Sequence, residues 1–125
     1  DILCAGIGEN GHLAFNDPPV ADFEDPETVK VVDLTLASRE QQVHDGCFPE
    51  LAAVPERALT LTVPALMGAS HLFCMVPGPT KAVAVRDTLL GPISTQCPAT
   101  AMRLHPSATL YVDLDSAALY RKERE

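Results

Sequence analysis

The sequence predicts an α/β fold, a mostly parallel Rossmann-like sheet with helices on both faces. Three observations carry that prediction. Ile2 to Ala5, His71 to Val76 and Thr109 to Val112 are short apolar runs without polar alternation, the pattern of strands buried on both faces. Between and after them come turns rich in Gly, Pro, Asn and Asp, and stretches with helical spacing. The sequence also enters its first apolar run directly after Asp1, so neighbouring strands are expected and the chain reads as part of a larger fold.

Ile2 to Ala5 is the first strand and ends in glycines, and residues 6 to 27 form a loop rich in Gly, Pro, Asn and Asp. Val29 to Leu34 reads as a second, short strand. Ala37 to Val43 is a short helix stopped by Asp45-Gly46. Ala58 to Val63 is a strand, and Pro64 suits the first turn of a short helix reaching Ala69. His71 to Val76 is a third buried strand, and Pro77 to Thr80 turns the chain into a helix from about Lys81 to Leu90. Pro98 to Leu104 is a further helix, ending before Pro106. Thr109 to Val112 is the last interior strand. Ser116 to Arg124 forms a terminal helix capped by Asp115 or Ser116, with Arg121, Lys122 and Arg124 at its negative end.

A chain of 125 residues fits one domain with a real core. A net charge of −8 argues against a nucleic-acid partner, whereas a small phosphorylated ligand needs only a local positive pocket. No apolar run approaches the roughly 18 residues of a membrane-spanning helix, so no membrane partner is expected, and no signal-peptide pattern leads the chain. Cys4, Cys47, Cys74 and Cys97 form no C-x-x-C pair and are expected as free thiols in a reducing cytoplasm, with Cys4 and Cys74 inside buried strands. His44 and Cys47 lack two further ligands for zinc, so no metal site is expected.

The first strand runs into Gly6-Ile7-Gly8-Glu9-Asn10-Gly11, which matches G-x-G-x-x-G, and Asp33 ends a later strand where a ribose-binding acid would stand. The dinucleotide reading fails on the residues beyond Gly11. That fingerprint needs a helix of several turns from its third glycine, and here Asn16-Asp17-Pro18-Pro19 is turn chemistry.

The longer string from Gly6 through His12-Leu13-Ala14-Phe15-Asn16-Asp17-Pro18 resembles the active-site loop of glucosamine-6-phosphate deaminases, which read roughly G-x-G-x-D-G-H-I-A-F-N-E-P. Val54-Pro55 through Ala58-Leu59-Thr60 is similar to the family's V-P-x-x-A-L-T strand. Gly78 to Lys81 resembles its G-x-x-K turn, and Leu104-His105-Pro106 with the strand ending at Asp113 resembles its L-H-P segment. The sister family of 6-phosphogluconolactonases shares G-x-x-G-H but usually continues T-A-S-L-F-P, and Ala14-Phe15-Asn16 sides with the deaminases. The resemblance implies that residues 1 to 125 are the C-terminal portion of a sugar-phosphate isomerase/deaminase domain, without its N-terminal half. The implied reaction converts glucosamine 6-phosphate to fructose 6-phosphate and ammonia. A 6-phosphogluconolactonase-like hydrolase and a non-catalytic sugar-phosphate-binding module are the alternatives.

His12 is the first catalytic candidate. It lies on a Gly-flanked loop at the carboxyl end of a strand, where open α/β sheets bind ligands, and imidazole exchanges protons near neutral pH. The resemblance implies that it shuttles a proton to the ring oxygen and opens the pyranose, assisted by two acids. Those positions hold Asn10 and Asp17 here. Asn10 orients the imidazole without charge, and Asp17 is one methylene shorter than the family's Glu; both also fit as plain turn residues. Gly8 and Gly11 shape the substrate-binding loop. Lys81 is the phosphate candidate, since Pro79 presets a helical turn whose N–H groups favour an anion. The family's arginine before Phe-Phe has no counterpart in Gln41 to Phe48; Arg39 lies nearby, and Gln42 or His44 is a neutral substitute donor. Arg103 and His105 read as structural, and Asp22 to Glu27 as a solvated loop or a lid.

The family's base for the C2 proton and a glycine-rich phosphate loop lie in its N-terminal half and are not in this sequence, so the chain alone is expected to be inactive. No cofactor is expected. The expected partner is a small phosphorylated sugar, the compartment the cytoplasm, and the open sheet edge favours homo-oligomers.

Overall fold

A computed structural model describes residues 1–124. Nine strands and α-helices follow one another as β1 (Ile2–Ala5), β2 (Val29–Asp33), α1 (Leu36–His44), β3 (Arg57–Leu61), α2 (Val63–Met67), β4 (His71–Val76), α3 (Ala82–Leu90), β5 (Ala108–Val112) and α4 (Ala118–Arg124). Short 3-10 segments, Leu51–Ala53, Pro79–Lys81 and Pro98–Leu104, join them.

The parallel sheet has the order β1-β4-β5. Leu3 lies opposite Leu72 and Ala5 opposite Cys74, while Cys74 and Val76 lie opposite Leu110 and Val112. Successive side chains of a strand point to opposite faces, so Leu72, Cys74 and Val76 all enter one core. There they meet Ile7, Leu13, Leu66, Ala84, Val85, Ala99 and Met102. Leu72 and Val85 are fully buried, and each such side chain contributes about 1.5–3 kcal/mol relative to exposure.

The α/β class and the parallel sheet match the expectation, but four details differ. First, helices cover only one face among the described residues. On the other, Ile2 (64% exposed), Met75 (47%) and Tyr111 (51%) stand open beside Cys4 and half-buried Phe73. Cys4 is therefore exposed rather than buried, because its parity on β1 puts it on the bare face. Second, β1 and β5 are sheet edges here, not interior strands.

Third, β2 and β3 form a separate antiparallel ribbon, with Val29 opposite Leu61 and Asp33 opposite Arg57. Val32 and Thr60 turn inward, and Val29, Val31, Leu59 and Leu61 face out. The strand β3 ends at Leu61, since Val63 opens α2 with Pro64 in its first turn.

Fourth, Pro98–Leu104 is a 3-10 segment. The Thr100 hydroxyl bonds back to the carbonyls of Cys97 (2.7 Å) and Ser94 (3.1 Å), a local competitor of α-helical bonding. The last helix starts at Ala118, two residues later than the sequence implied. Ser116 is instead locked in the preceding turn, its N–H donating to Asp113 Oδ1 (2.7 Å) and its hydroxyl accepting from Asp113 N–H (3.1 Å).

Candidate active site

The loop after β1 closes on itself. Gly8 N–H donates to the His12 carbonyl and Gly11 N–H to the Gly8 carbonyl, both at 2.9 Å. Gly11 has φ 82°, and a Cβ there would also press on Cys97 Sγ. Such a backbone is open to glycine without strain. Gly8 serves differently: the His12 ring packs so closely on it that any Cβ would overlap the imidazole. Ala14 takes φ 52° in the next turn, where Asn16 is fully buried and donates to the carbonyls of Leu13 (2.9 Å) and Leu61 (2.8 Å). The bond to Leu61 ties the loop to the β2–β3 ribbon.

His12, Asn10 and Asp17 come together, and a fourth residue joins them. His12 Nδ1 lies 2.5 Å from Asn10 Oδ1, 3.2 Å from Asp17 Oδ1 and 3.2 Å from Ser38 Oγ. Asp17, fully buried, accepts from Ser38 Oγ (2.5 Å) and Asn10 Nδ2 (3.1 Å) on Oδ1, and from Thr35 N–H (3.1 Å) on Oδ2. The shorter acid therefore reaches the imidazole. Burial alone would raise the Asp17 pKa, but the bonds from His12, Ser38, Thr35 and Asn10 outweigh it and hold the carboxyl well below the usual carboxylate range. The site thus keeps a buried negative charge beside the imidazole at neutral pH.

Sequence reasoning placed α1 but passed over Ser38. Thr35 is the N-cap of α1, its hydroxyl accepting from Ser38 N–H at 3.2 Å, so the first turn of the helix is what presents Ser38 to Asp17. The legible signal was a small polar residue in the first turn behind a capping Thr. Gln41, one turn on, accepts from Glu9 N–H at 2.8 Å and fixes the loop against α1.

His12 lines a pocket of about 180 Å³ with Phe15, Ser38, Gln41, Gln42, Asp45 and Cys47. Of the candidate substitutes for the missing arginine, Gln42 is in that lining. His44 is mostly exposed and stands 3.7 Å from Glu9 Oε1. Arg39 points elsewhere, donating to the carbonyls of Leu51 and Val54 at 3.2 Å.

Lys81 follows β4 as His12 follows β1, and since these strands are parallel neighbours the two loops share one rim of the sheet. The Lys81 ammonium donates to the Ile7 carbonyl at 2.6 Å, which bridges the two loops directly. Of the N–H groups in the Pro79 turn expected to favour an anion, those of Lys81 and Ala82 donate within the turn, to the Gly78 (3.2 Å) and Pro79 carbonyls, and the N–H of Gly78 just before it donates to Asp113 Oδ2 at 2.9 Å. His105 is structural, with Nε2 at 2.6 Å from the Ala69 carbonyl and Nδ1 accepting from Ser107 N–H at 2.9 Å. Arg103 likewise binds the Gly91 carbonyl. The acidic loop is stapled by Lys30 Nζ to Val20 O (2.7 Å) and Asp25 Oδ2 (2.6 Å).

No protein-family model matches the chain. Curated relatives do. Glucosamine-6-phosphate deaminase 1 of Bacillus subtilis (strain 168) is 35% identical over 119 residues, which is 95% of this chain and 47% of the relative. Glucosamine-6-phosphate deaminase of Thermoanaerobacter pseudethanolicus is 33% identical over 123 residues, 98% of this chain and 47% of the relative. Among solved structures, a monomeric glucosamine-6-phosphate deaminase superposes with a TM-score of 0.87 at 35% identity, over 95% of this chain and 47% of the other. The 6-phosphogluconolactonase from Leishmania guyanensis shares the fold, with a TM-score of 0.64 at 24% identity over 93% of this chain and 40% of that one. Over nearly all of its length the chain is a homologue of the glucosamine-6-phosphate deaminases, and it spans about half the length of the curated relatives it matches.

Proposed function

We propose that this chain is the C-terminal portion of an amino-sugar phosphate isomerase/deaminase that converts glucosamine 6-phosphate to fructose 6-phosphate and ammonia in the cytoplasm. The observation that carries the reading is the His12 imidazole, held through Nδ1 by Asn10 and beside the Asp17 carboxylate, on the same rim as the Lys81 ammonium. His12 takes the role of ring opener. Its Nε2 has no hydrogen-bond partner among the described residues, so that nitrogen is the one available to take the proton of the anomeric hydroxyl and pass it to the ring oxygen. The Asp17 charge stabilises the imidazolium that exists between the two transfers. Gly8 and Gly11 give the loop the close turns on which a sugar ring rests, and Lys81 holds the phosphate after leaving Ile7 O.

Isomerisation also needs a base at C2, which falls to a complementary half. The open β1 edge supports that assignment, as do the bare apolar face around Ile2, Met75 and Tyr111 and an apolar cavity of about 280 Å³ beside β1. Without such a half, these surfaces would drive homo-oligomers. Co-expression with an N-terminal half from a deaminase relative should yield a complex that releases ammonia from glucosamine 6-phosphate, and His12→Ala should abolish it. A folded complex that releases none would overturn the reading. The hydrolase alternative rests on the fold shared with 6-phosphogluconolactonases; lactone hydrolysis by the same complex would favour it.

A further inference from the structure

The hydrogen bonds around Asp17 have a direction, and that direction reaches His12. An ionised carboxylate only accepts. Asp17 Oδ1 therefore requires the Ser38 hydroxyl and the Asn10 amide both to spend a proton on it, at 2.5 Å and 3.1 Å. A hydroxyl whose only proton is committed to Asp17 has lone pairs left for its other neighbour, and that neighbour is His12 Nδ1 at 3.2 Å. The Asn10 amide, with its nitrogen turned to Asp17, must point its oxygen at the same Nδ1, at 2.5 Å. All three groups facing Nδ1 are thus acceptors. A neutral imidazole has one protonated nitrogen, and here it is required to be Nδ1.

We infer that Ser38 is a positioning residue that fixes the tautomer of His12, relaying the polarity of Asp17 so that Nδ1 carries the proton and Nε2 stays bare. Asn10 is the second arm of the same relay. This explains how a site with a neutral Asn10 still orders its imidazole: both arms borrow their direction from the single buried charge. Ser38 is suited to this by its place. It is 2% exposed in the first turn of α1, anchored through Thr35, whose N–H holds the other oxygen of Asp17 at 3.1 Å. Without the hydroxyl, Asp17 loses its nearest donor, and the carboxylate and the Asn10 amide that takes its bearing from it are free to turn. The other titratable groups facing the same pocket are Asp45, at the end of α1, and Cys47, in the turn beyond; neither is in contact with Nδ1.

The relay rests on the reading of His12 as the proton-exchanging group, yet its test needs no substrate. Long-range proton–nitrogen spectra of the 125-residue chain, recorded where imidazole is neutral, report which ring nitrogen bears the proton, and His12→Gln assigns the signal. The wild type should show one His12 tautomer, with Nδ1 protonated. Ser38→Ala should show a mixture, and Ser38→Thr should restore the single form by returning a hydroxyl. An Nε2-protonated wild type, an unchanged single tautomer in Ser38→Ala, or a mixture persisting in Ser38→Thr would each overturn the relay. Failure of the chain to bind any hexose phosphate would count against the proposed function and leave the tautomer result standing.

Discussion

Replacing Gly8 by alanine tests whether the imidazole is held where the structure puts it. The backbone at Gly8 lies outside the left-handed region, so alanine is conformationally tolerated, and the nearest obstacle to its Cβ is the His12 ring. That ring cannot yield freely, because Nδ1 is bound to Asn10 and lies beside Asp17 and Ser38. Moving it forfeits a hydrogen bond to a charged group, about 1.5–3 kcal/mol. At about 4 °C per kcal/mol for a chain of this size, the Tm should fall by about 6–12 °C. The same substitution in a His12→Ala background meets no ring, and there it should change stability by less than about 0.5 kcal/mol. Urea or thermal unfolding of the four chains in this cycle therefore yields a coupling of about 1.5–3 kcal/mol between positions 8 and 12. If Gly8→Ala costs the same with and without His12, the packing argument is wrong, and with it the held geometry of the imidazole.

The remaining predictions concern acid and thiol chemistry. Asp17 has a folded-state pKa below its unfolded value, so its stabilisation is fully present above about pH 4 and is lost as pH falls through the folded pKa. Asp17→Asn should accordingly lose stability at neutral pH, and the gap to the wild type should narrow as pH drops below about 4; a gap that widens on acidification in urea unfolding would contradict this sign. Burial pushes the Cys74 thiol up to about 11 and raises that of Cys97, whereas Cys4 and Cys47 are exposed. A thiol reagent at neutral pH should modify Cys4 and Cys47 in the folded chain and reach Cys74 only on unfolding. Peptide mass mapping that finds Cys74 labelled as fast as Cys47 would place Cys74 outside the core.

Most elements and their types were legible in the chain's own pattern. His71–Val76 could be read to the residue because a continuous apolar run bounded by Ser70 and Pro77 has one local solution, and α1 could be read from its Asp45-Gly46 stop. The loop letters from Gly6 to Pro18 singled out His12, Asn10 and Asp17 as candidates through their resemblance to the deaminase active-site loop. Local pattern does not say which strand pairs with which. It took the packed chain to separate β2 and β3 from the parallel sheet as an antiparallel ribbon, and to put Cys4 on a bare face through the parity of β1. Packing also set the electrostatics of the site. Ser38 stands 21 residues beyond Asp17 and Lys81 stands 74 residues beyond Ile7, so local sequence can mark Ser38 as a small polar residue behind a capping Thr but cannot say what either side chain meets. Both arise because parallel pairing of β1 with β4 gathers their loops on one rim, and because the capped turn of α1 is packed against that rim.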